Sequence, residues 1–412
     1  MPKTILLKAS DKNLKGTIQL PSSKSESNRA LIIRALSHGF AKIENLSEAK
    51  DTVTLERLLR EMPEEMDVGH AGTAMRFLTA FLSFQPRDFI LTGSQRMQER
   101  PIGPLVTALR KVGAEINFMR REGYPPMMIH GRNARFGATK VEIPANVSSQ
   151  YISALLMLAP TLTDGLTVEL VGDVMSRPYI EMTLRLMEHF GVQANWTGQS
   201  IHVPRQPYTS GTYAIESDWS AASYWYCLVA LADEAEIDLP GLRPSSWQGD
   251  HVVHEFMVHL GVETEWREDG IRIRKVESKL PTKVIWDFSG CPDLAQGLLV
   301  ALSALGVGGR FRGLESLRIK ETDRIAALQN ELGKFGMRLE EREDPAGLYW
   351  DLEGTFNPNP AIIPTYQDHR MAMAFAPLAL KVDGLQIEEP DVVVKSYPRY
   401  WEDLAKVGIS AG

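Results

Sequence analysis

Six times along this chain a short polar or charged cluster runs into an apolar stretch rich in alanine and leucine. The copies are SSKSESNRALIIRAL from Ser22, GHAGTAMRFLTAFL from Gly69, NVSSQYISALLMLAP from Asn146, ESDWSAASYWYCLVAL from Glu216, FSGCPDLAQGLLVALSAL from Phe288 and YQDHRMAMAFAPLAL from Tyr366. A helix that is apolar nearly all round cannot sit on a surface, so each copy predicts a buried helix with a polar N-terminus. A second set is more amphipathic: TLERLLREM from Thr54, GPLVTALRKVG from Gly103, YIEMTLRLMEHFG from Tyr179, HVVHEFMVHLG from His251, ETDRIAALQNELGKFG from Glu321 and PRYWEDLAKVG from Pro398. Five of these six end in glycine, the residue that most easily turns left-handed after a helix.

Short β-rich segments such as KVEIP from Lys140, GLTVEL from Gly165 and GIRIRK from Gly270 fill the gaps. From the second copy onward the units lie roughly 70 to 80 residues apart, the sign of a repeated architecture. The first interval, from Lys24 to Gly72, is shorter, so the first copy reads as trimmed. A chain of 412 residues exceeds what one hydrophobic core organises, which predicts two α/β domains of three copies each. Their polar helix N-termini are expected to converge on a cleft.

With 44% hydrophobic and 24% charged residues, the composition is that of an ordinary globular protein. A formal charge of -7 argues against nucleic acid or an acidic membrane as partner. No run approaches the apolar length that spans a bilayer, and the start MPKTILLKASDK lacks a signal-peptide core, so a cytoplasmic location is expected. Cys227 and Cys291 show neither CxxC nor zinc-ligand spacing, and Cys227 lies in an apolar run as a core residue does.

Lys24, Ser25, Arg29, Gly72, Arg76, Arg100, Ser148, Ser149, Gln150, Asp218, Asp293, Asp368, His369 and Arg370 stand at the starts of the buried helices or on nearby loops. Ser176, Tyr179, Lys320, Glu321, Arg324 and Lys395 accompany the second set. Free backbone N–H groups and the helix dipole favour anions at helix starts, and arginine adds bidentate recognition of carboxylate and phosphate. So many basic residues at helix starts in an acidic protein point to a small, highly anionic ligand. The densest cluster is LRIKETDR, Leu317 to Arg324, read as the mouth of an amphipathic helix with Lys320 and Arg324 one turn apart on one face. Singly, each candidate also has a plain structural reading. Ser148, Asp218 and Asp293 can be helix caps, Arg29 and Arg76 can cover their helices, and His369 can be a satisfied core histidine. Neither GxxxxGK[ST] nor a strand-linked GxGxxG occurs, which leaves nucleotide cofactors without support.

Ten ordered motifs nevertheless make the chain resemble the 5-enolpyruvylshikimate-3-phosphate synthase family over nearly its whole length. They are PSSKSESNR from Pro21, GHAGTAMR from Gly69, RMQERPIGPL from Arg96, VSSQYISALLM from Val147, SRPYIEMTL from Ser176, ESDWSAASY from Glu216, PDLA from Pro292, RIKETDR from Arg318, DHRMAM from Asp368 and VKSYP from Val394. The resemblance implies a two-domain inside-out α/β barrel of six βαβαββ repeats, three per domain, with buried helices surrounded by sheets. One domain would comprise residues 1–20 and 216–412, the other 21–215. It implies transfer of the enolpyruvyl group of phosphoenolpyruvate to the 5-hydroxyl of shikimate 3-phosphate, with release of phosphate, by a monomer without metal or organic cofactor.

By matching motifs, Lys24, Ser25, Arg29, Ser148, Ser149, Gln150, Ser176, Tyr179, Asp293 and Lys320 would hold shikimate 3-phosphate. Lys24, Gly72, Arg100, Gln150, Arg324, Arg370 and Lys395 would hold phosphoenolpyruvate. Asp293 would be the base at the 5-hydroxyl and Glu321 the acid at the methylene carbon, with Lys24 as a neighbouring catalytic cation. His70 stands where the family commonly has asparagine, Phe77 where many members have proline or leucine, and Ser316 where some have asparagine. The trimmed first copy is expected to lack β structure between Met62 and Val68. Two alternatives stand beside this reading. One is the sister enolpyruvyl transferase acting on UDP-N-acetylglucosamine, which uses a loop cysteine. The other is an inactive phosphate-binding repeat protein.

Overall fold

The computed structural model describes residues 3–131 and 137–412. The chain divides into two compact units, Met1–Pro21 with Glu216–Gly412, and Ser22–Ile215.

In the first unit three four-stranded sheets share one topology. Lys283–Asp287 pairs in parallel with Gly308–Arg312, which pairs antiparallel with Gly347–Gly354, itself antiparallel to Met337–Asp344. Asn13–Thr17, Glu234–Pro240, Gly270–Lys275 and Val262–Arg267 repeat that order. So do Ile362–Ile363, Gln386–Glu388, Thr4–Ala9 and Ile409–Ala411, with the N-terminal strand closing the last repeat. A helix crosses over between the parallel strands, as parallel pairing requires, and a second helix leads into the antiparallel hairpin. The unit is therefore βαβαββ three times over, in strand order 1-2-4-3.

The second unit has two sheets of this kind. They are Glu65–Asp67, Asp88–Thr92, Met127–His130 and Ile116–Phe118, and Lys140–Pro144, Leu166–Val171, Ser200–Val203 and Asn195–Thr197. Among the described residues its remaining sheet holds only the parallel pair Ala41–Glu44 and Gly211–Ala214. Here the expectation for the trimmed copy needs correcting. The segment between Met62 and Val68 carries β structure, Glu65–Asp67, the opening strand of the next repeat. What the first copy lacks, among the described residues, is the hairpin, because its second helix ends at Glu61 and the next strand begins at Glu65.

The six predicted buried helices form at Lys24–Leu36, Gly72–Leu82, Ser149–Leu158, Trp219–Leu231, Ala295–Ala304 and His369–Phe375. Every residue of Gly72–Leu82 is buried, and so is all of Trp219–Leu231 except Ser220. Each fully buried Leu, Val or Phe contributes about 1.5–3 kcal/mol, so these helices are the cores of their repeats. After the second helices Gly113, Gly191, Gly261, Gly336 and Gly408 all turn at positive φ, and in the trimmed copy Met62 does so at φ 45°. No helix among the described residues is long and apolar enough to cross a membrane.

Candidate active site

In the first unit the polar helix starts close on one another. The segment Leu317–Arg324 differs from its sequence reading, since the helix begins at Arg324 rather than Glu321. Asp323 is the N-cap, its carboxylate accepting from the amide of Ala326 at 3.0 Å, and this starts the helix about one turn later. Lys320 and Glu321 consequently lie on the turn between Glu315–Ile319 and the helix, where their side chains are free of the helical face.

Arg324, 2% exposed, sits among three carboxylates. Its Nε donates to Asp368 Oδ2 at 2.6 Å, its Nη1 to Asp293 Oδ1 at 3.0 Å and its Nη2 to Glu321 Oε2 at 2.8 Å. The other oxygen of Glu321 accepts from Lys395 at 3.1 Å, and the other oxygen of Asp293 accepts from Arg370 at 2.9 Å. Lys320 Nζ lies 4.0 Å from Asp293. Six of the candidates of this unit, Asp293, Lys320, Glu321, Arg324, Arg370 and Lys395, thus belong to one ion-pair network. Burial alone would raise the Asp293 carboxyl, yet the cations of Arg370, Lys320 and Arg324 hold it far below the usual carboxylate range. Burial likewise works against the Arg324 guanidinium, and Asp368, Glu321 and Asp293 outweigh it and keep the charge in place.

Asp293 is not a helix cap; its carboxylate is spent on arginine. Asp218 and Asp368 are caps, accepting from Ala221 and Arg370 amides at 2.9 Å each. Buried His369 places Nδ1 3.5 Å from Asp368 Oδ1. Sequence reasoning missed Asp250 and Ser220. Ser220 Oγ donates to Asp250 and accepts from Arg370 Nη2 at 3.3 Å, so a buried carboxylate backs the guanidinium through a hydroxyl. Burial first, and then the charge of Asp293, push the Asp250 carboxyl up to about 6. The two residues are 30 apart in the chain, and only the GD after a proline- and serine-rich loop hints at a functional turn.

In the second unit the candidates also gather at helix starts. Gly72 opens its helix directly beneath Arg100, whose Nη1 would lie 2.7 Å from a β-carbon at that position. Gln150 reaches the same helix start, donating to Thr73 Oγ1 at 3.0 Å, while Ser148 caps the helix by accepting from the Gln150 amide at 3.3 Å. Ser149 is the first residue of that helix. Lys24 opens the first buried helix, and its Nζ lies 3.5 Å from Asp51, a buried carboxylate at the start of Lys50–Glu61. Ser25 is half-buried beside it. Ser176 stands at the N-cap position of Arg177–His189 in a left-handed conformation, φ 55°, without a side-chain capping bond, and Tyr179 lies in the first turn.

Arg29 is placed deeper than a ligand-facing arginine. It donates to Thr183 Oγ1 at 2.7 Å, to the Ser25 carbonyl at 2.9 Å and to Ser153 Oγ at 3.2 Å, and lies 5.9 Å from the Tyr179 ring centre. Burial lowers its pKa to about 10, leaving a cation that ties three helices together behind the helix starts. Arg76 is similarly internal, donating to the carbonyls of Gly72 and Pro101 at 3.2 and 3.1 Å. Among the described residues no group of three or more His, Cys, Asp and Glu side chains has metal-holding geometry.

The family profile described as EPSP synthase (3-phosphoshikimate 1-carboxyvinyltransferase) matches residues 8–67 and 62–404. A protein of Bacteroides fragilis named 3-phosphoshikimate 1-carboxyvinyltransferase is 51% identical over 396 residues, 96% of each chain. One of the same name from Aliivibrio fischeri is 37% identical, covering 96% of this chain and 97% of its own. Among solved structures, an EPSP synthase from Acinetobacter baumannii superposes with a TM-score of 0.78 at 22% identity, over 99% of both chains. The enolpyruvyl transferase NikO from Streptomyces tendae shares the fold, with a TM-score of 0.71 at 14% identity over 100% of this chain and 99% of its own. With its fold, its ordered helix-start motifs and these relatives in agreement, the chain belongs to the EPSP synthase (3-phosphoshikimate 1-carboxyvinyltransferase) family.

Proposed function

We propose that this chain transfers the enolpyruvyl group of phosphoenolpyruvate to the 5-hydroxyl of shikimate 3-phosphate and releases inorganic phosphate. The observation that carries the mechanism is the pairing around Arg324. Glu321 is held between Arg324 and Lys395, and Asp293 between Arg324 and Arg370. Anionic substrate groups that take Arg324, Arg370 and Lys395 replace these carboxylates as partners and release both. Glu321, once its cations turn to the phosphoenolpyruvate, takes up a proton from solvent and gives it to the methylene carbon. Positive charge develops at the neighbouring carbon, and the 5-hydroxyl attacks it as its proton passes to Asp293. The tetrahedral ketal phosphate then loses a proton from the new methyl group to Glu321 and expels phosphate.

In this assignment Lys24, Gly72, Arg100, Gln150, Arg324, Arg370 and Lys395 hold phosphoenolpyruvate. Lys24, Ser25, Arg29, Ser148, Ser149, Gln150, Ser176, Tyr179, Asp293 and Lys320 serve shikimate 3-phosphate, Arg29 by fixing its neighbours from behind. Lys24 is the catalytic cation shared between them. The enzyme acts as a monomer in the cytoplasm, without metal or organic cofactor. The sister reaction on UDP-N-acetylglucosamine finds no support in either thiol. Burial raises the Cys227 thiol to about 12 and raises that of Cys291 too, which disfavours the thiolate of both at neutral pH.

Turnover in heavy water tests the addition–elimination route. Deuterium is expected in the vinyl group of the product, since solvent equilibrates with Glu321 and the intermediate methyl group gives up either isotope. A product free of deuterium at that carbon would overturn it.

A further inference from the structure

The two residues before Asp368 stand in an unusual backbone conformation. Tyr366 and Gln367 are consecutive non-glycine residues in the left-handed region, at φ 54° and 56°. Such a pair persists only where surrounding contacts enforce it. Across the turn the Asp368 amide donates to the Thr365 carbonyl at 2.8 Å, and the side-chain contacts that fix it come from one helix, Arg324–Gly333. At its start Arg324 grips Asp368 at 2.6 Å, just after the turn. Near its end Glu331, 1% exposed, accepts from the Tyr366 hydroxyl at 2.7 Å, at the head of the turn. Lys334, at 2.6 Å, holds the second oxygen of Glu331. Beyond the turn Asp368 caps the next helix and Arg370 reaches Asp293, Tyr224 and Ser220.

We propose that Glu331 and Tyr366 are positioning residues for phosphoenolpyruvate, a brace that holds the Tyr366–Gln367 turn left-handed so that Arg370 stays aimed beside Arg324. This rests on the reading that Arg324 and Arg370 bind phosphoenolpyruvate. Neither Glu331 nor Tyr366 touches the network itself. Their effect passes through the backbone, since Asp368 and Arg370, which follow the turn directly, pair with Arg324 and Asp293.

Tyr366→Phe removes one hydroxyl and keeps the ring. With the brace gone, KM for phosphoenolpyruvate is expected to rise about tenfold, the loss of a hydrogen bond to a charged acceptor, while kcat and KM for shikimate 3-phosphate stay within about twofold. Glu331→Gln, which still accepts from the hydroxyl but without the charge, should raise that KM less than Tyr366→Phe does. Gln367→Gly added to Tyr366→Phe should restore the parental KM to within about twofold, because glycine takes positive φ without a brace. A parental KM in Tyr366→Phe, an equal rise for both substrates, or a rise that glycine does not reverse would overturn the proposal. Amide exchange read by mass spectrometry on the peptide spanning Thr365–Met371 separates this from the functional reading. Exchange there should quicken about tenfold in Tyr366→Phe and recover with Gln367→Gly, whatever the protein turns over. Unchanged exchange would sink the brace, and absence of turnover in the parent would sink only the functional reading.

Discussion

Arg324 and Asp368, 44 residues apart in the chain, are joined from Nε to Oδ2 at 2.6 Å. Their side chains are 2% and 0% exposed. A charge pair removed from water to this degree survives only with its partners complete, and loss of one partner costs several kcal/mol. The network that holds the candidate acid and base is therefore also part of what holds the first unit together.

Asp368→Asn is expected to destabilise the protein by about 2–3 kcal/mol, since the amide can still accept from the Arg370 amide while Arg324 loses its charged partner. Urea unfolding read at neutral pH checks this. A midpoint equal to the parent's would mean that Asp293 and Glu321 compensate Arg324 by themselves.

Glu321→Gln should bind both substrates within about threefold of the parent yet turn over about 10²–10⁴ times more slowly, the range for loss of a proton-transfer group. Equilibrium binding and single-turnover kinetics on the same preparation separate the two effects. Near-parental turnover would remove Glu321 from the proton path.

Gly72→Ala places a methyl group 2.7 Å from Arg100 Nη1. The guanidinium end is flexible and can swing aside, so little stability should be lost. The displaced cation is expected to raise KM for phosphoenolpyruvate about tenfold, one charge-assisted hydrogen bond. Steady-state kinetics with each substrate varied in turn gives the answer.

Asp250 supplies a pH dependence of stability. Burial, then the Asp293 charge, raise its carboxyl from the ordinary 3.8 to about 6 in the folded protein. Between these values the folded state binds more protons than the unfolded state, so this contribution to stability is present below pH 3.8 and is lost as pH rises through about 6. Asp250→Asn keeps an acceptor for Ser220 and removes the charge. Its stability relative to the parent should accordingly increase between pH 4.5 and pH 7, by roughly 1–3 kcal/mol. Thermal melts across that range check the sign, and a difference that falls with pH would contradict it.

Much of the architecture is legible in the sequence because burial leaves a strong compositional mark. Helices such as Trp219–Leu231, apolar on every side, admit one environment, and glycine after five of the six amphipathic helices reports a left-handed stop, as at Gly113 or Gly336. The start of the Arg324 helix is less legible. Asp323 and Glu321 both qualify as first-turn acids, and only the backbone bond from Ala326 decides between them. The shared strand order is hidden too, because Thr4–Ala9 completes a sheet whose other strands lie beyond residue 361. Within the candidate site, residue types point to anion chemistry, but their meeting does not follow from spacing. Asp293 and Arg370 pair across 77 residues, and Arg29 lies too deep to be told from a ligand-facing arginine by its neighbours in sequence.

The most direct test mixes the purified protein with phosphoenolpyruvate and shikimate 3-phosphate in one vessel, and with phosphoenolpyruvate and UDP-N-acetylglucosamine in another, and follows phosphate release. Release only with shikimate 3-phosphate is the predicted result; release only with the sugar nucleotide, or in neither vessel, would contradict it.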